Sequence, residues 1–510
     1  MQAKVTVHAG YLISEIDPRL YGSFIEHLGR AIYTGVYEPG HPTADASGMR
    51  GDVVALARAL NVPIVRYPGG NFVSAYNWED GVGPKERRPS RLDLAWHTRE
   101  TNEVGIHEFA DWCGAIGAEV MYAVNLGSRG LNEARNFLEY ANHPRGSYWS
   151  DLRIKNGRVE PFNIKLWCLG NEMDGPWQIG HKSADDYGRL ACETAKALRA
   201  FDKSLELVVC GSSNAKMPTY PQWEATVLDH TYDVVDYISL HMYFNNRAED
   251  VARYLAANIE LDRYIQSIAG VIEFIKAKKH SHKNVYISFD EWNVWYHSEE
   301  QDKKTLNGNN GWPSSPPLLE ESYNFEDALQ VGLILNTFIR RSNVVKIACL
   351  AQLVNVIAPI MTVPGGPAWR QTIYYPFFFA SRFGRGQALD LRVDSPSYAA
   401  GEIGEASCLD VAAVHDAASG GVTLFVVNRS SEPIATTFSL EGFGALSLAD
   451  HQTLVHPDLK AVNSAEAPDN VAPKAGAGAQ IRGDALSATF AAYSYHVIRL
   501  ETANAVRRPK

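Results

Sequence analysis

An alternation limits how this chain can fold: eight short apolar runs, each followed by a segment with helical periodicity. The runs are YGSFIEHLG from Tyr21, VPIVRYPGG from Val62, AEVMYAVNLG from Ala118 and IKLWCLGNE from Ile164. They continue with LELVVCGSS from Leu205, VVDYISLHMY from Val234, NVYISFDEW from Asn284 and VVKIACLAQLVN from Val344. Between them lie GDVVALARAL from Gly51, SADDYGRLACETAKALRAF from Ser183 and EDALQVGLILNTFIRR from Glu326, among others. Strands apolar on both faces and regularly interrupted by helices imply an α/β fold with a parallel sheet under helices. Eight such units suit a closed (β/α)8 TIM barrel, for which about 250 residues is common before insertions. An open doubly wound sheet is the competing arrangement, but no glycine-rich dinucleotide turn follows the first run.

Polar groups gather where each run finishes. In order they are Glu26 and His27, Arg66 and Asn71, Asn125, Asn171 and Glu172, Ser212 and Asn214, His241 and Tyr243, Glu291 and Asn293, and Gln352 and Asn355. In a parallel barrel all strand C-termini open onto one face, where active sites are built. Ser212, Asn214 and Asn355 read more simply as satisfied core or cap groups. Glu172, in IKLWCLGNEMDG, and Glu291, in VYISFDEWNVW, each end a run long enough to cross a core. An unpaired charge at such a boundary costs free energy, so each is either functional or else salt-bridged or solvated. Strands four and seven of an eight-strand ring face each other obliquely, so a sugar can lie between two carboxylates placed there.

Near residue 385 the pattern changes to short alternating runs, SCLDVAAVHD, GVTLFVVNRS, IATTFSLEGF and FAAYSYHVIRLE, separated by turn residues. Such runs suggest a β-sandwich, jelly-roll-like. The N-terminal AKVTVHAGYLISEI also alternates and is expected to join it. The expected division is a catalytic barrel over 17–386 and a sandwich from 1–16 plus 387–510. A net charge of −10 argues against a nucleic-acid or anionic-membrane partner. The segment MQAKVTVHAGYLISEID has no apolar core of a secretory signal, and no apolar stretch spans a bilayer uninterrupted. A cytoplasmic location is expected. The six cysteines have no pairing or metal-ligand spacing, so buried free thiols are expected, and the Asn428-Arg429-Ser430 acceptor pattern carries no weight without secretion.

The strings SFIEHLGR, RYPGGNFVSAYNWEDGVGP, WCLGNEMDGPWQIGH, HMYF, DEWNVW and AQLVN occur in this order at the strand ends. Together they resemble the α-L-arabinofuranosidases of glycoside hydrolase family 51, from about Tyr21 to Pro359. The resemblance implies a barrel with a partly N-terminal sandwich, exo-acting hydrolysis of terminal arabinofuranosyl groups with retention, and a homo-oligomer, a hexamer. It implies Glu172 as acid/base and Glu291 as nucleophile.

Residue chemistry supplies the rest. Departure from a furanoside builds positive charge at the anomeric carbon and negative charge on the leaving oxygen, so a protonated and an ionised carboxyl are both needed. Arg66 and Tyr243 are candidate donors to Glu291. Glu26, Asn71 and Asn171, with Gln352, are candidates for sugar hydroxyls, and His241 belongs to the same substrate-binding set. Trp96, Trp295 and Trp312 can wall the pocket or pack in the core. Two carboxylates need no Lewis acid and no metal-ligand string is present, so no metal or other cofactor is expected. The insert HSEEQDKKTLNGNNGWPSSPPLLEES from His297 is expected to overhang the site, against a plain surface loop or an oligomer contact. An endo-glucanase or xylosidase-like barrel, and a non-catalytic sugar-binding barrel, remain as alternatives.

Overall fold

The structure, a computed structural model, describes residues 1–296, 299–307 and 311–502. Eight parallel strands close into a barrel: Gly22–Phe24, Ile64–Tyr67, Glu119–Val124, Leu166–Leu169, Glu206–Cys210, Tyr237–Phe244, Tyr286–Val294 and Val345–Ala351. They are barrel strands one to eight below. Closure falls between strands eight and one, where Cys349 pairs with Gly22 and Ala351 with Phe24. Gly22 allows it: a Cβ there would sit 2.9 Å from Ile64 and 3.1 Å from the Ala348 carbonyl. Strand one is only three residues long, so Glu26 and His27 lie in the loop beyond it. Backbone bonds from Ile25 to Arg66 (3.0 Å) and from His27 to Pro68 (3.1 Å) keep that loop against strand two.

The second unit is one continuous ten-strand sheet that takes in both chain ends. Gln2–Glu15 pairs antiparallel with Gln387–Asp394 and parallel with Ile434–Glu441. Alternation along the strands serves two cores. Val411, Leu424, Val426 and Ile498 join Val5, Val7 and Phe438 in a core of the sheet's own. Their neighbours Ala412, Phe425, Val427 and Val497 point the other way, into the barrel core. Helix Phe325–Arg340 lies between the two units and is buried along nearly its whole length. Gly332 lets it approach the sheet, since a Cβ there would be 2.8 Å from the Tyr495 ring. Asp410 receives Asn336 at 2.8 Å and Arg340 at 2.9 Å, so its buried charge is paired. All six cysteines are free thiols. Among the described residues no helix is long and apolar enough to cross a membrane.

Candidate active site

Strand four ends at Leu169 and turns sharply, with Gly170 at φ 92° and Glu172 at φ 43°. A side chain is disfavoured in that left-handed region, so neighbouring groups must hold Glu172 there. Gly175 N donates to the Glu172 carbonyl at 2.8 Å, and Ser213 N donates to Asp174 at 3.0 Å, tying the turn to the loop after strand five. Strand seven uses a different device. Ser288 pairs with Ser239 but Glu291 pairs with His241, so three steps on strand seven match two on strand six. This bulge lets adjacent residues reach one imidazole. His241 Nε2 lies 3.1 Å from Asp290 Oδ1, and Nδ1 lies 3.5 Å from Glu291 Oε2.

The two glutamates meet over His241. Oxygens of Glu172 and Glu291 and a ring nitrogen of His241 all lie within 4.8 Å of one another. Glu172 Oε1 is 2.8 Å from His241 Nδ1, and Oε2 accepts from Trp177 Nε1 at 2.7 Å. Glu291 Oε1 accepts from Arg66 at 2.7 Å and Oε2 from the Tyr243 hydroxyl at 2.9 Å. Arg66 also donates to Asn171 Oδ1 at 2.6 Å and lies 3.4 Å from Asp290.

Burial pushes the Glu172 carboxyl above the usual carboxylate range. The His241 and Trp177 donors oppose this without cancelling it, and the Glu291 charge reinforces it. For His241, burial favours the neutral ring, but Glu291, Asp290 and Glu172 together outweigh it and carry the imidazole up to about 10. Tyr243 is pushed well up by burial and then by Glu291, so it remains a proton donor.

A cavity of about 840 Å³ opens above the carboxylates. Its wall includes Glu26, Asn71, Trp96, Glu172, Tyr243, Glu291, Trp295 and Gln352. Arg66, Asn171 and His241 lie beneath that wall, 1%, 1% and 2% exposed. Asn171 there accepts from Arg66 and faces Gln178 at 3.4 Å. Trp312 stands behind the wall, its ring 3.9 Å from His97. Glu26 Oε1 accepts from Phe72 N at 2.8 Å and Trp96 Nε1 at 2.9 Å, and its backbone N donates to Gln352 Oε1 at 2.9 Å. Among the described residues it forms no ion pair: Arg30 is taken by Glu320 at 2.6 Å and Arg66 by Glu291. Burial carries Glu26 up to about 8, against its two donors and with a contribution from Glu291. The hairpin holding Trp96 is anchored by His27, which bonds Glu100 at 2.8 Å and Tyr67 at 2.7 Å.

Three other strand-end groups hold neighbouring backbone, while Asn214 lines the cavity. Asn125 accepts from Gly127, Ser128 and Arg129, Asn293 donates to the Ala351 carbonyl, and Asn355 ties Arg30 to Thr362. Trp177 and Asp290 were not singled out by sequence reasoning. Trp177 sits five residues beyond Glu172 in the same string and Asp290 beside Glu291, so proximity was the available signal. Within the insert, His297, Ser298 and residues 308–310 lie outside the described residues. Glu299–Asn307 forms a helix, and Leu306, Leu318 and Leu319 reach the cavity wall.

Glu172, His241 and Glu291 are the cluster whose spacing could hold a metal ion. A histidine ligand must be neutral with a free lone pair. His241 is instead flanked by Glu172 and Glu291 at Nδ1 and by Asp290 at Nε2, and these carboxyl groups favour its cationic form.

A closed parallel barrel with two close carboxylates at its C-terminal mouth defines a glycoside hydrolase site. The family model "Alpha-L-arabinofuranosidase 1 domain" matches residues 56–259, and "Alpha-L-arabinofuranosidase C-terminal domain" matches 290–494. An intracellular exo-α-(1→5)-L-arabinofuranosidase of Halalkalibacterium halodurans is 54% identical, over 98% of this chain and 99% of its own. One from Bacillus subtilis is 53% identical, with the same coverage of 98% and 99%. A solved family 51 α-L-arabinofuranosidase from Bifidobacterium longum superposes with a TM-score of 0.94 at 41% identity, covering 98% of this chain and 99% of that one. The chain belongs to the α-L-arabinofuranosidases of glycoside hydrolase family 51.

Proposed function

We propose that this chain is an exo-acting, retaining α-L-arabinofuranosidase in which Glu172 is the acid/base and Glu291 the nucleophile. The observation that carries this is the pair of oxygens within 4.8 Å of each other in opposite surroundings. Retention needs carboxyl groups about 5–5.5 Å apart, whereas inversion needs ~6.5–9.5 Å to admit a water. In the first step Glu291 attacks the anomeric carbon while Glu172 gives its proton to the departing oxygen. Arg66 and Tyr243 hold the attacking carboxylate and fix which oxygen faces the sugar. In the second step Glu172, now ionised, takes a proton from water, and the water displaces Glu291. His241 stabilises the ionised state of Glu172 and supports Glu291 from below.

Glu26, Asn71, Gln352 and Trp96 line the pocket and take the sugar hydroxyls and ring face. Asn171 orients Arg66 and sits next to the sugar through its neighbour Glu172. Loops after seven of the eight strands wall the cavity, which favours a terminal sugar over an endo cleft. Arabinose-containing oligosaccharides are the substrate class, and the 1→5 linkage named for the relatives at 54% and 53% identity is the first to test. Those relatives are named intracellular, and the same location is part of this reading. So are a homohexamer and the division into a barrel over 17–386 and a sheet unit from 1–16 plus 387–510. A panel of chromogenic glycosides and arabino-oligosaccharides tests the function. Arabinofuranosides are expected to be cleaved far faster than glucosides, releasing single arabinose units. Internal cleavage of polymeric glucan or xylan would overturn it.

A further inference from the structure

The cavity is larger than one furanose requires, and its two halves differ in charge. Glu26, Asn71 and Trp96 come from the loops after strands one and two, on one side of the barrel mouth. The opposite side is built by the loops after strands five and six, the side on which Glu172 of strand four delivers its proton. There the wall holds Lys216 and Arg253. Neither forms an ion pair among the described residues. Lys216 N is held by Asn214 Oδ1 at 2.9 Å, and Arg253 N by Asp250 at 3.0 Å, so both backbones are fixed. Glu260 lies on the same wall and offsets one of the two charges. Between and beside them Ser213, Asn214 and Asn245 add polar groups to a partly apolar surface. Phe244 and Ala257 line it, and Ile403 is supplied by the sheet unit, whose hairpin packs on Ala256.

The deep end holds its carboxyls among hydrogen-bond donors, whereas the leaving-group end carries Lys216 and Arg253, which form no ion pair among the described residues. A neutral leaving sugar can accept hydrogen bonds from them, but only an anion also takes up their charge. We infer that the leaving-group end selects an aglycone bearing a carboxylate, with Lys216 and Arg253 as its specificity-determining residues. This rests on the arabinofuranosidase reading of the same site. Either a uronic acid or an aromatic acid supplies that chemistry.

The test compares matched substrates. One pair is the 4-carboxyphenyl and 4-carbamoylphenyl α-L-arabinofuranosides; the other is arabinofuranosyl uronate-containing and neutral oligosaccharides. Exposed charges act weakly and are screened by salt. Wild type is therefore expected to favour the anionic member through KM, with an advantage that shrinks in 0.5 M salt. In Lys216→Ala/Arg253→Ala the anionic-to-neutral ratio of kcat/KM is expected to fall about fivefold or more, with the loss concentrated on the anionic member. An effect confined to one pair identifies the source of the carboxylate. A ratio unchanged by both variant and salt in both pairs, with neutral arabinofuranosides still cleaved, overturns the inference. If no arabinofuranoside is cleaved at all, the functional reading fails instead.

Discussion

The ends of barrel strands four and seven both deliver a glutamate to the same cavity, but they treat it differently. Glu172 rests on a left-handed turn, and its donors are one indole and one imidazolium shared with two other carboxylates. Glu291 rests on a bulged strand, and Arg66 and Tyr243 each donate to one of its oxygens. Burial raises the Glu172 carboxyl above the usual carboxylate range, whereas Glu291 has a full guanidinium charge against it. Two chemically identical side chains thus acquire the different environments that the proposed acid and nucleophile need, from what packs beside them.

The largest effects should come from removing either carboxyl. Glu291→Ala is expected to lose hydrolysis of every arabinofuranoside by many orders of magnitude. Glu172→Ala should lose about 10²–10⁴-fold on substrates with poor leaving groups and much less on activated aryl ones. Steady-state kinetics on both substrate types, with thermal melting to show that the variants fold, would check this. Wild-type-like rates in either variant would collapse the comparison.

Next come the donors to Glu291. Tyr243→Phe removes a hydrogen bond to a charged group, worth ~1.5–3 kcal/mol, so kcat/KM should fall roughly 10- to 150-fold. Arg66→Ala leaves Asp290 and Glu291 buried without their guanidinium, and the fold itself should lose ~3–5 kcal/mol in denaturant unfolding. A Tyr243→Phe enzyme with unaltered kinetics would show that the hydroxyl is not needed by the nucleophile.

Glu26 tests whether the deep end is tuned for sugar at a cost in stability. An unfolded glutamate releases its proton near 4.5, but the folded one holds it to about 8. Across that window the unfolded state binds fewer protons, so this group's contribution to stability falls as pH rises. Glu26→Gln should therefore gain melting temperature relative to wild type between pH 5 and 8, while losing selectivity for arabinofuranosides over glucosides. A lower midpoint at every pH with an unchanged selectivity ratio would make Glu26 structural.

Legibility in the sequence followed the locality of the causes. The eight barrel strands, the strand-end position of both glutamates and the entry of the N-terminus into the second sheet came from periodicity, which depends on neighbouring residues. Arg66 and Tyr243 were recognisable as donors because they end strands of a closed ring. The ion-pair alternative for Glu26 could not be settled that way, since Arg30 is claimed by Glu320 from an insert 290 residues away. Trp177 reaches Glu172 only because its loop folds back, and Asp290 reaches His241 only through a bulge. Neither event leaves a mark in the local pattern. Asn171 was read as a sugar ligand from its place beside Glu172, yet its amide is directed at Arg66 and Gln178 below the wall.

A smaller effect sharpens the acid's side of the comparison. The Trp177 indole favours ionised Glu172, so Trp177→Phe should raise the Glu172 pKa further. The alkaline limb of the kcat/KM profile should then move to higher pH, with its acid limb fixed. Movement to lower pH would show that Trp177 acts on Glu172 by another route.

The most direct measurement of the central assignment is the stereochemistry of azide products formed by the two carboxyl variants from an activated aryl arabinofuranoside, read by proton NMR. In Glu172→Ala the sugar still passes through Glu291, and azide displaces that glutamate, so the arabinosyl azide should keep the substrate's anomeric configuration. In Glu291→Ala azide can attack only the substrate itself, so any azide product should be inverted. An inverted product from Glu172→Ala, or a retained one from Glu291→Ala, would contradict the roles assigned to the two strand ends.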